Sequence, residues 1–152
     1  CIQLGLLANV EIKPASGDDE ITARVVAEMA TNLWAGASVP PLISSFSLHA
    51  LTVAYEVAPA FSRGLLFESV PADWPGILER LRAVSLHCAA EGLADETLAE
   101  ARDRRVPVLA FTVNRKKQAN LLFERGVSGI FTDSLDLFSP VTTDYNRLQL
   151  DG

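Results

Sequence analysis

The chain has 152 residues, which fits one domain, and 49% of them are apolar, which is enough for a real core. Its net charge of −6 argues against nucleic acid or an anionic membrane as a partner, and no apolar run approaches the ~20 residues of a membrane helix. Since Cys1 and Cys88 form no disulfide or metal pattern, we expect a reducing, cytoplasmic compartment.

The first residues resemble the interior of a domain more than its start. The chain begins with Cys1, and neither a basic start nor a small-residue cleavage site of a signal peptide is present. Residues 1–6 are predicted to be the last turn of a helix that stops at Gly5. We therefore expect the chain to begin inside a larger unit.

A short strand over residues 9–13 carries a carboxylate and an ammonium group near its carboxyl end. Strand side chains alternate between faces, so Glu11 and Lys13 point the same way, and Pro14 ends the pairing. Such a pair is either a structural ion pair or a metal ligand beside a phosphate-binding cation. These residues alone leave both interpretations open.

Helices and short apolar strands alternate along the rest of the chain. The first helix follows the acidic residues 18–20 and ends near residues 34–36, and its apolar stripe is predicted to face the core. That stripe consists of Ile21, Val25, Met29 and Leu33, with Val26 and Ala30 beside them. Later helices are predicted after the capping residues Ser47 and Asp95, after 73–75, and over 116–125. The remaining strands are predicted over residues 42–46, 64–68, 84–88, 106–114 and 129–133.

The carboxyl-terminal part is predicted to end the domain near Pro140. The last helix is predicted to turn Ala119, Leu122 and Phe123 inward, and a short helical turn follows over residues 135–138. We expect residues 1–140 to form the domain and residues 141–152 to be a polar, frayed tail.

Every predicted strand carries polar side chains at its carboxyl end. They are Glu11 and Lys13, Ser44 and Ser45, Glu68, His87, Thr112 and Asn114, and Thr132 and Asp133. Alternating strands and helices predict an α/β fold with a parallel sheet, in which sites lie at the carboxyl ends of the strands. An open doubly wound sheet and a barrel both fit. No glycine-rich phosphate loop follows any strand, which weakens a nucleotide-binding interpretation.

Four segments in this order resemble motifs of the glycerophosphodiester phosphodiesterases. They are Asn-Val-Glu-Ile-Lys-Pro at residues 9–14, Ser-Ser-Phe at 44–46, Phe-Thr-Val-Asn at 111–114 and Gly-Val-Ser-Gly-Ile-Phe-Thr-Asp at 126–133. Residues 63–68 and 85–87 look most like the bacterial cytoplasmic branch. The resemblance implies a (β/α)₈ TIM barrel, of which this chain holds an incomplete barrel with about six β/α units.

The resemblance also implies an activity, which is hydrolysis of glycerophosphodiesters to glycerol 3-phosphate and an alcohol with a divalent metal, calcium or magnesium. By position, Glu11 matches the strand glutamate that binds the metal, and Lys13 matches the lysine that contacts the phosphate. Phe111 stands where the family usually has Trp or Tyr lining the glycerol pocket, so any polar contact from that ring is lost.

Further substrate-binding or site-wall residues are expected at the ends of other strands. Asn114 is expected to bind substrate, and Thr112 and Asp133 match motif residues that we place in the site wall. Glu68 is a candidate to contact either the metal or a hydroxyl group of the substrate.

The chain departs from the family at the motifs that precede the strand of Glu11. The His-Arg-Gly, Glu-x-Asp and His-Asp motifs would all lie upstream of Cys1, and they carry the acid/base histidines and two of three metal carboxylates. No catalytic residue is therefore assigned within the chain. His87 as a catalytic base is an alternative to a site-wall or hydrogen-bonded strand-end histidine. We expect His49 on the surface and Cys88 buried as a small apolar residue.

Two classes of function stay open. The first is a metal-dependent phosphodiesterase that acts on small-molecule glycerophosphodiesters and is inactive as this chain alone. In that case the chain pairs with the missing N-terminal part of the barrel or self-associates through open sheet edges. The alternative is a non-catalytic α/β module that binds a phosphorylated ligand, or a partner at an open sheet edge.

Overall fold

A computed structural model describes residues 1–138, and the tail predicted for residues 141–152 lies outside them. The strands are β1 Asn9–Glu11, β2 Leu42–Ser45, β3 Ser62–Phe67, β4 Ser85–Ala89, β5 Val108–Phe111 and β6 Gly129–Ile130. The α-helices are α1 Asp19–Leu33, α2 Leu48–Val57, α3 Trp74–Leu81, α4 Asp95–Asp103 and α5 Lys116–Glu124. Turns of 3₁₀-helix lie at Ile2–Leu4 and Leu135–Leu137.

The six strands form one parallel sheet whose spatial order follows the chain, β1-β2-β3-β4-β5-β6. In the pairing register Glu11 lies beside Ser44, and Leu66 lies beside His87. A doubly wound sheet reverses its strand order at a switch point, whereas a barrel wall does not. The chain is therefore an incomplete TIM barrel of six strands with alternating helices, as the resemblance implied.

The helices cover one face of the sheet and build the main core against it. Strand residues at alternate positions are buried under the helices, among them Ile12, Ile43, Leu65, Leu86, Cys88 and Ala110. Because side chains alternate along a strand, this burial leaves Glu11 and Lys13 on the opposite, inner face. The predicted burial of Cys88 is confirmed.

The face of α1 that is buried differs from the predicted one. Ile21, Val25, Met29 and Leu33 are between 47% and 64% exposed. Of the predicted stripe only Ala30 is buried, together with Ala23 and Ala27, while Val26 is partly buried against the core. Alanines let the helix backbone approach its neighbours closely, and α1 packs along α2. A repeat of large apolar residues predicts that a helix has an apolar face. It does not predict whether a neighbouring element within the described residues packs against that face.

Local signals at element ends give a mixed outcome. Gly5 ends the first turn with φ 65°, as predicted, and the Ser47 hydroxyl accepts a hydrogen bond from the Ala50 N–H at 3.0 Å. Asp95 is the first residue of α4 and makes no side-chain cap bond, so its predicted capping role is wrong. Phe123 is 46% exposed and does not face inward. Strands β5 and β6 are shorter than predicted.

One buried cation ties three chain segments together. Arg63 on β3 is 4% exposed. Its guanidinium donates hydrogen bonds to the carbonyl oxygens of Phe61 at 2.6 Å, Leu81 at 2.9 Å and Arg82 at 3.0 Å. It also lies 4.4 Å from the centre of the Tyr55 ring on α2. Arg63 therefore joins β3 to α2 and to the carboxyl end of α3.

No helix within residues 1–138 combines the length and the apolar character that a bilayer span requires.

Candidate active site

A cleft of about 350 Å³ opens on the inner face of the sheet, at the carboxyl ends of the strands. Its lining joins residues from β1, β3 and β5 and from the segments that follow β1, β2, β3, β5 and β6. They are Asn9, Glu11, Lys13, Phe46, Leu66, Glu68, Phe111, Thr112 and Phe131. Of the residues predicted for the site, Glu11, Lys13, Glu68, Phe111 and Thr112 therefore lie together.

The polar side of the cleft comes from Glu11 and Lys13, two residues apart on one face of the first strand. Both are exposed, and no ion pair joins them among the residues that the structure describes. The ammonium of Lys13 and the carboxylate of Glu11 are thus free to face a ligand. Glu68 reaches the same cleft from the end of β3, so two carboxylates flank one cation.

The apolar side of the cleft contains an aromatic pair, of which the sequence analysis predicts one member. Phe46 and Phe111 pack edge to face, with ring centroids 5.6 Å apart at 81°. Phe111 is a predicted site residue, whereas Phe46 is not. Its position two residues after Ser44, on the inner face, is the signal that could have identified it.

Asn114 lies beside the cleft and joins two neighbouring strand ends. Its amide nitrogen donates to the Asp133 carboxylate at 3.2 Å. Its amide oxygen accepts from the Thr132 hydroxyl at 3.0 Å and from the Asp133 N–H at 2.9 Å. Asn114 therefore does not line the cleft of Lys13, although it lines an adjoining cleft. In this structure its contacts hold the ends of β5 and β6 together.

His87 lies beneath the cleft and is fully buried, so the structure does not bring it to the cleft wall. Its Nε2 shares a hydrogen bond with the Ser85 hydroxyl at 2.9 Å, and its ring packs against Phe131. Nδ1 has no hydrogen-bond partner in the described part of the chain. A Cβ at Gly64 would lie 2.7 Å from the ring, so glycine is required there. The other histidine, His49, is exposed on α2, as predicted.

Burial lowers the pKa of His87 from 6.5 to about 4, because the charged ring would lose its water. The unfolded chain binds this proton at higher pH than the folded chain does. Stability from the neutral ring is therefore complete above pH 6.5 and is lost as the pH falls towards 4. We expect His87 to remove about 3 kcal/mol of unfolding free energy over this range.

The test is urea unfolding at several pH values for the wild-type chain, His87→Leu and His49→Gln. His87→Leu should flatten the loss of stability between pH 6.5 and 4. His49→Gln changes a histidine on the exposed surface of α2, so it is the matched control and should leave the pH dependence as it is. Parallel curves for wild type and His87→Leu would contradict the burial argument.

The carboxylates of this cleft are too few to hold a divalent cation by themselves. Calcium takes six to eight oxygen ligands, and magnesium requires an octahedral set. Glu11 and Glu68 offer two carboxylates, and no group of three or more His, Cys, Asp or Glu side chains suited to a metal occurs within residues 1–138. By themselves, the described residues therefore do not supply the set of ligands that such a cation requires.

Sequential parallel strands with a charged cleft at their carboxyl ends define an enzyme-type (β/α) barrel. Residues 1–137 match the model of the glycerophosphoryl diester phosphodiesterase family. The chain belongs to this family.

One curated relative and two solved structures support the match. A glycerophosphodiester phosphodiesterase of Caldanaerobacter subterraneus subsp. tengcongensis is 31% identical over 93 residues, which are 60% of this chain and 38% of that protein. The structure of an Oleispira antarctica phosphodiesterase in complex with sn-glycerol-3-phosphate is similar to this chain, with a TM-score of 0.78 and 28% sequence identity. The match covers 87% of this chain and 53% of the Oleispira antarctica chain. A Thermotoga maritima glycerophosphodiester phosphodiesterase shares the fold, with a TM-score of 0.66 and 21% sequence identity. The match covers 87% of this chain and 56% of the Thermotoga maritima chain.

The chain therefore spans about half the length of the structures it matches, and less of the curated relative. The predicted family and incomplete barrel are confirmed.

Proposed function

We propose that these residues form the phosphate- and glycerol-binding side of an active site that hydrolyses glycerophosphodiesters to glycerol 3-phosphate and an alcohol. The observation that carries the proposal is the meeting of Glu11, Lys13 and the Phe46–Phe111 pair in one cleft. The sn-glycerol-3-phosphate complex of the Oleispira antarctica relative supports a ligand of this chemistry.

Each group has a separate task in this proposal. The Lys13 ammonium pairs with a phosphoryl oxygen and offsets the negative charge that builds up during cleavage. The Phe46 and Phe111 rings pack against the glycerol carbons and exclude water from one side of the phosphorus. Glu68 accepts a hydrogen bond from a glycerol hydroxyl. Together these contacts bind and orient the diester.

We further propose that Glu11 is one ligand of a divalent metal, calcium or magnesium, with most other ligands supplied from outside residues 1–138. Hard cations prefer carboxylate oxygens, and Glu11 lies beside the phosphate-binding cation. When bound, such a metal would polarise the phosphoryl oxygens. The resemblance to the bacterial cytoplasmic branch supports a cytoplasmic location in the same proposal.

We expect residues 1–152 alone not to turn over glycerophosphodiesters. General acid and base groups each contribute roughly 10²–10⁴-fold, and within residues 1–138 no histidine lines the cleft, since His87 is buried below it and His49 is on α2. The measurement is metal-dependent release of glycerol 3-phosphate from glycerophosphocholine. The chain is assayed alone and after mixing with the remaining barrel units of the Oleispira antarctica relative.

Turnover by the mixture, without turnover by the chain alone, supports the proposal. Turnover by the chain alone that His87→Ala abolishes would contradict it and make His87 the base. No turnover by either sample, with retained binding of glycerol 3-phosphate, would favour the alternative of a non-catalytic module.

We propose that further β/α units of the barrel pair with the edge of β1 and cover the exposed stripe of α1. A closed barrel has no free strand edge, whereas β1 has one neighbour in the described sheet. The stripe of Ile21, Val25, Met29 and Leu33 is the kind of helix face that an adjacent helix covers. Self-association is the expected outcome when those units are absent.

Sedimentation velocity of the isolated chain tests this face. We expect concentration-dependent association that Met29→Lys weakens, because a charge is placed within the apolar stripe. Glu28→Lys, on the exposed surface of the same helix, is the matched control and should associate like the wild type. A monomer at all concentrations, with low binding of a hydrophobic dye, would contradict the proposal.

A further inference from the structure

A second cleft, of about 490 Å³, adjoins the candidate active site. Thr112 lines both clefts and so marks where they meet. The second cleft is lined by Glu91, Thr112, Asn114, Arg115, Lys117, Gln118 and Leu121. Its lining comes from the segments that follow β4 and β5 and from the first turns of α5.

Two cations of this second cleft have no carboxylate partner among the described residues. Arg115 and Lys117 take part in none of the ion pairs within residues 1–138, and both are exposed. Lys116 between them does not line the cleft. The chain as a whole has a net charge of −6, whereas this surface beside the proposed phosphodiester site carries a local excess of positive charge.

These cations stand at a place where positive charge is unfavourable on general grounds. They stand at the start of α5, where the helix dipole favours negative charge. By contrast, α1 begins with Asp19 and Glu20, and α4 begins with Asp95 and Glu96. Residues that oppose a local stability rule are commonly found at functional sites.

The other side chains of the cleft suit hydroxyl groups. Glu91 accepts hydrogen bonds, and the Asn114 and Gln118 amides both donate and accept them. The Glu91 carboxylate would repel an anion placed directly against it. A ligand here therefore needs hydroxyls towards Glu91 and its negative group towards Arg115 and Lys117.

We propose that this second cleft, which we name the leaving-alcohol subsite, binds the alcohol part of glycerophosphodiesters whose alcohol is a polyol with an additional anionic group. This inference rests on the proposed function, because the first cleft must hold the shared phosphodiester. Arg115 and Lys117 then select an anionic alcohol over a neutral one through charge-assisted hydrogen bonds.

The test compares two ligands that differ by one phosphate, glycerophosphoinositol and glycerophosphoinositol 4-phosphate. Both are titrated into the isotopically labelled chain, and backbone amide NMR shifts are followed separately at residues 10–13 and 115–119. We expect both ligands to shift residues 10–13. The 4-phosphate should shift residues 115–119 more than glycerophosphoinositol does, and it should bind about ten-fold more tightly.

The double variant Arg115→Gln/Lys117→Gln should bind the two ligands equally, whereas Lys116→Gln should keep the ten-fold preference. This control separates contacts inside the cleft from the general effect of one positive charge nearby. Equal affinities in the wild type, a preference that survives the double variant, or no shift at residues 115–119 would each overturn the inference.

The two proposals fail in different ways. Equal binding of both ligands, lost in Lys13→Ala, leaves the proposed function standing and rejects the subsite. Shifts at residues 115–119 without shifts at residues 10–13 contradict the proposed phosphodiester position, and the subsite is then an anion site without that substrate.

Discussion

In the complete barrel that contains these residues, Lys13→Ala is expected to lower kcat/KM for glycerophosphocholine by about 30- to 1,000-fold, roughly 2–4 kcal/mol. Lys13 is exposed in the cleft and makes no ion pair among the described residues, so its removal breaks no contact that holds the fold. The physical loss is a positive charge opposite the developing negative charge on phosphorus.

Lys13→Arg should recover part of the activity, since the charge is kept while the shape of the group changes. Lys116→Ala, which removes a lysine that lines neither cleft, should leave kcat/KM for glycerophosphocholine within two-fold. Unchanged kinetics in Lys13→Ala, with an unchanged urea midpoint, would reject the phosphate-binding role.

The largest expected loss of stability comes from Arg63→Met. Methionine keeps much of the packing but leaves the carbonyl oxygens of Phe61, Leu81 and Arg82 without their donor. Burial lowers the pKa of Arg63, and the contact with the Tyr55 ring opposes part of that burial cost. Because buried acceptors lose their partners, we expect about 3 kcal/mol less unfolding free energy.

Urea unfolding measures this effect, with Arg80→Met as the matched control. Arg80 is an exposed cation on α3, so the control makes the same chemical change without breaking buried hydrogen bonds. It should stay within about 0.5 kcal/mol of the wild type. Equal midpoints for Arg63→Met and Arg80→Met would show that the three buried hydrogen bonds contribute nothing.

The inner and outer faces of the first strand were predictable because strand alternation is a short-range rule. Glu11 and Lys13 lie in the cleft, and Ile12 is buried on the other face, as the pattern required. The meeting of these groups with Phe111 and Glu68 from distant strands followed from the parallel order, since all carboxyl ends lie at one edge.

Properties that depend on what covers a surface were not predictable in the same way. The α1 stripe of Met29 and its neighbours is apolar, yet the alanine face is the one that packs. The sequence predicts His87 at a strand end among polar residues, but β4 continues beyond it and the ring is enclosed. Periodicity gives the direction of a side chain, whereas burial depends on neighbours far away in the sequence.

The most direct test of the proposed site is a crystal structure of the complete barrel that contains these residues, with bound sn-glycerol 3-phosphate. We expect a phosphate oxygen within hydrogen-bond distance of the Lys13 ammonium and glycerol carbons packed on the Phe111 ring. A phosphate bound away from Lys13, with the cleft of Glu11 and Phe111 empty, would contradict it.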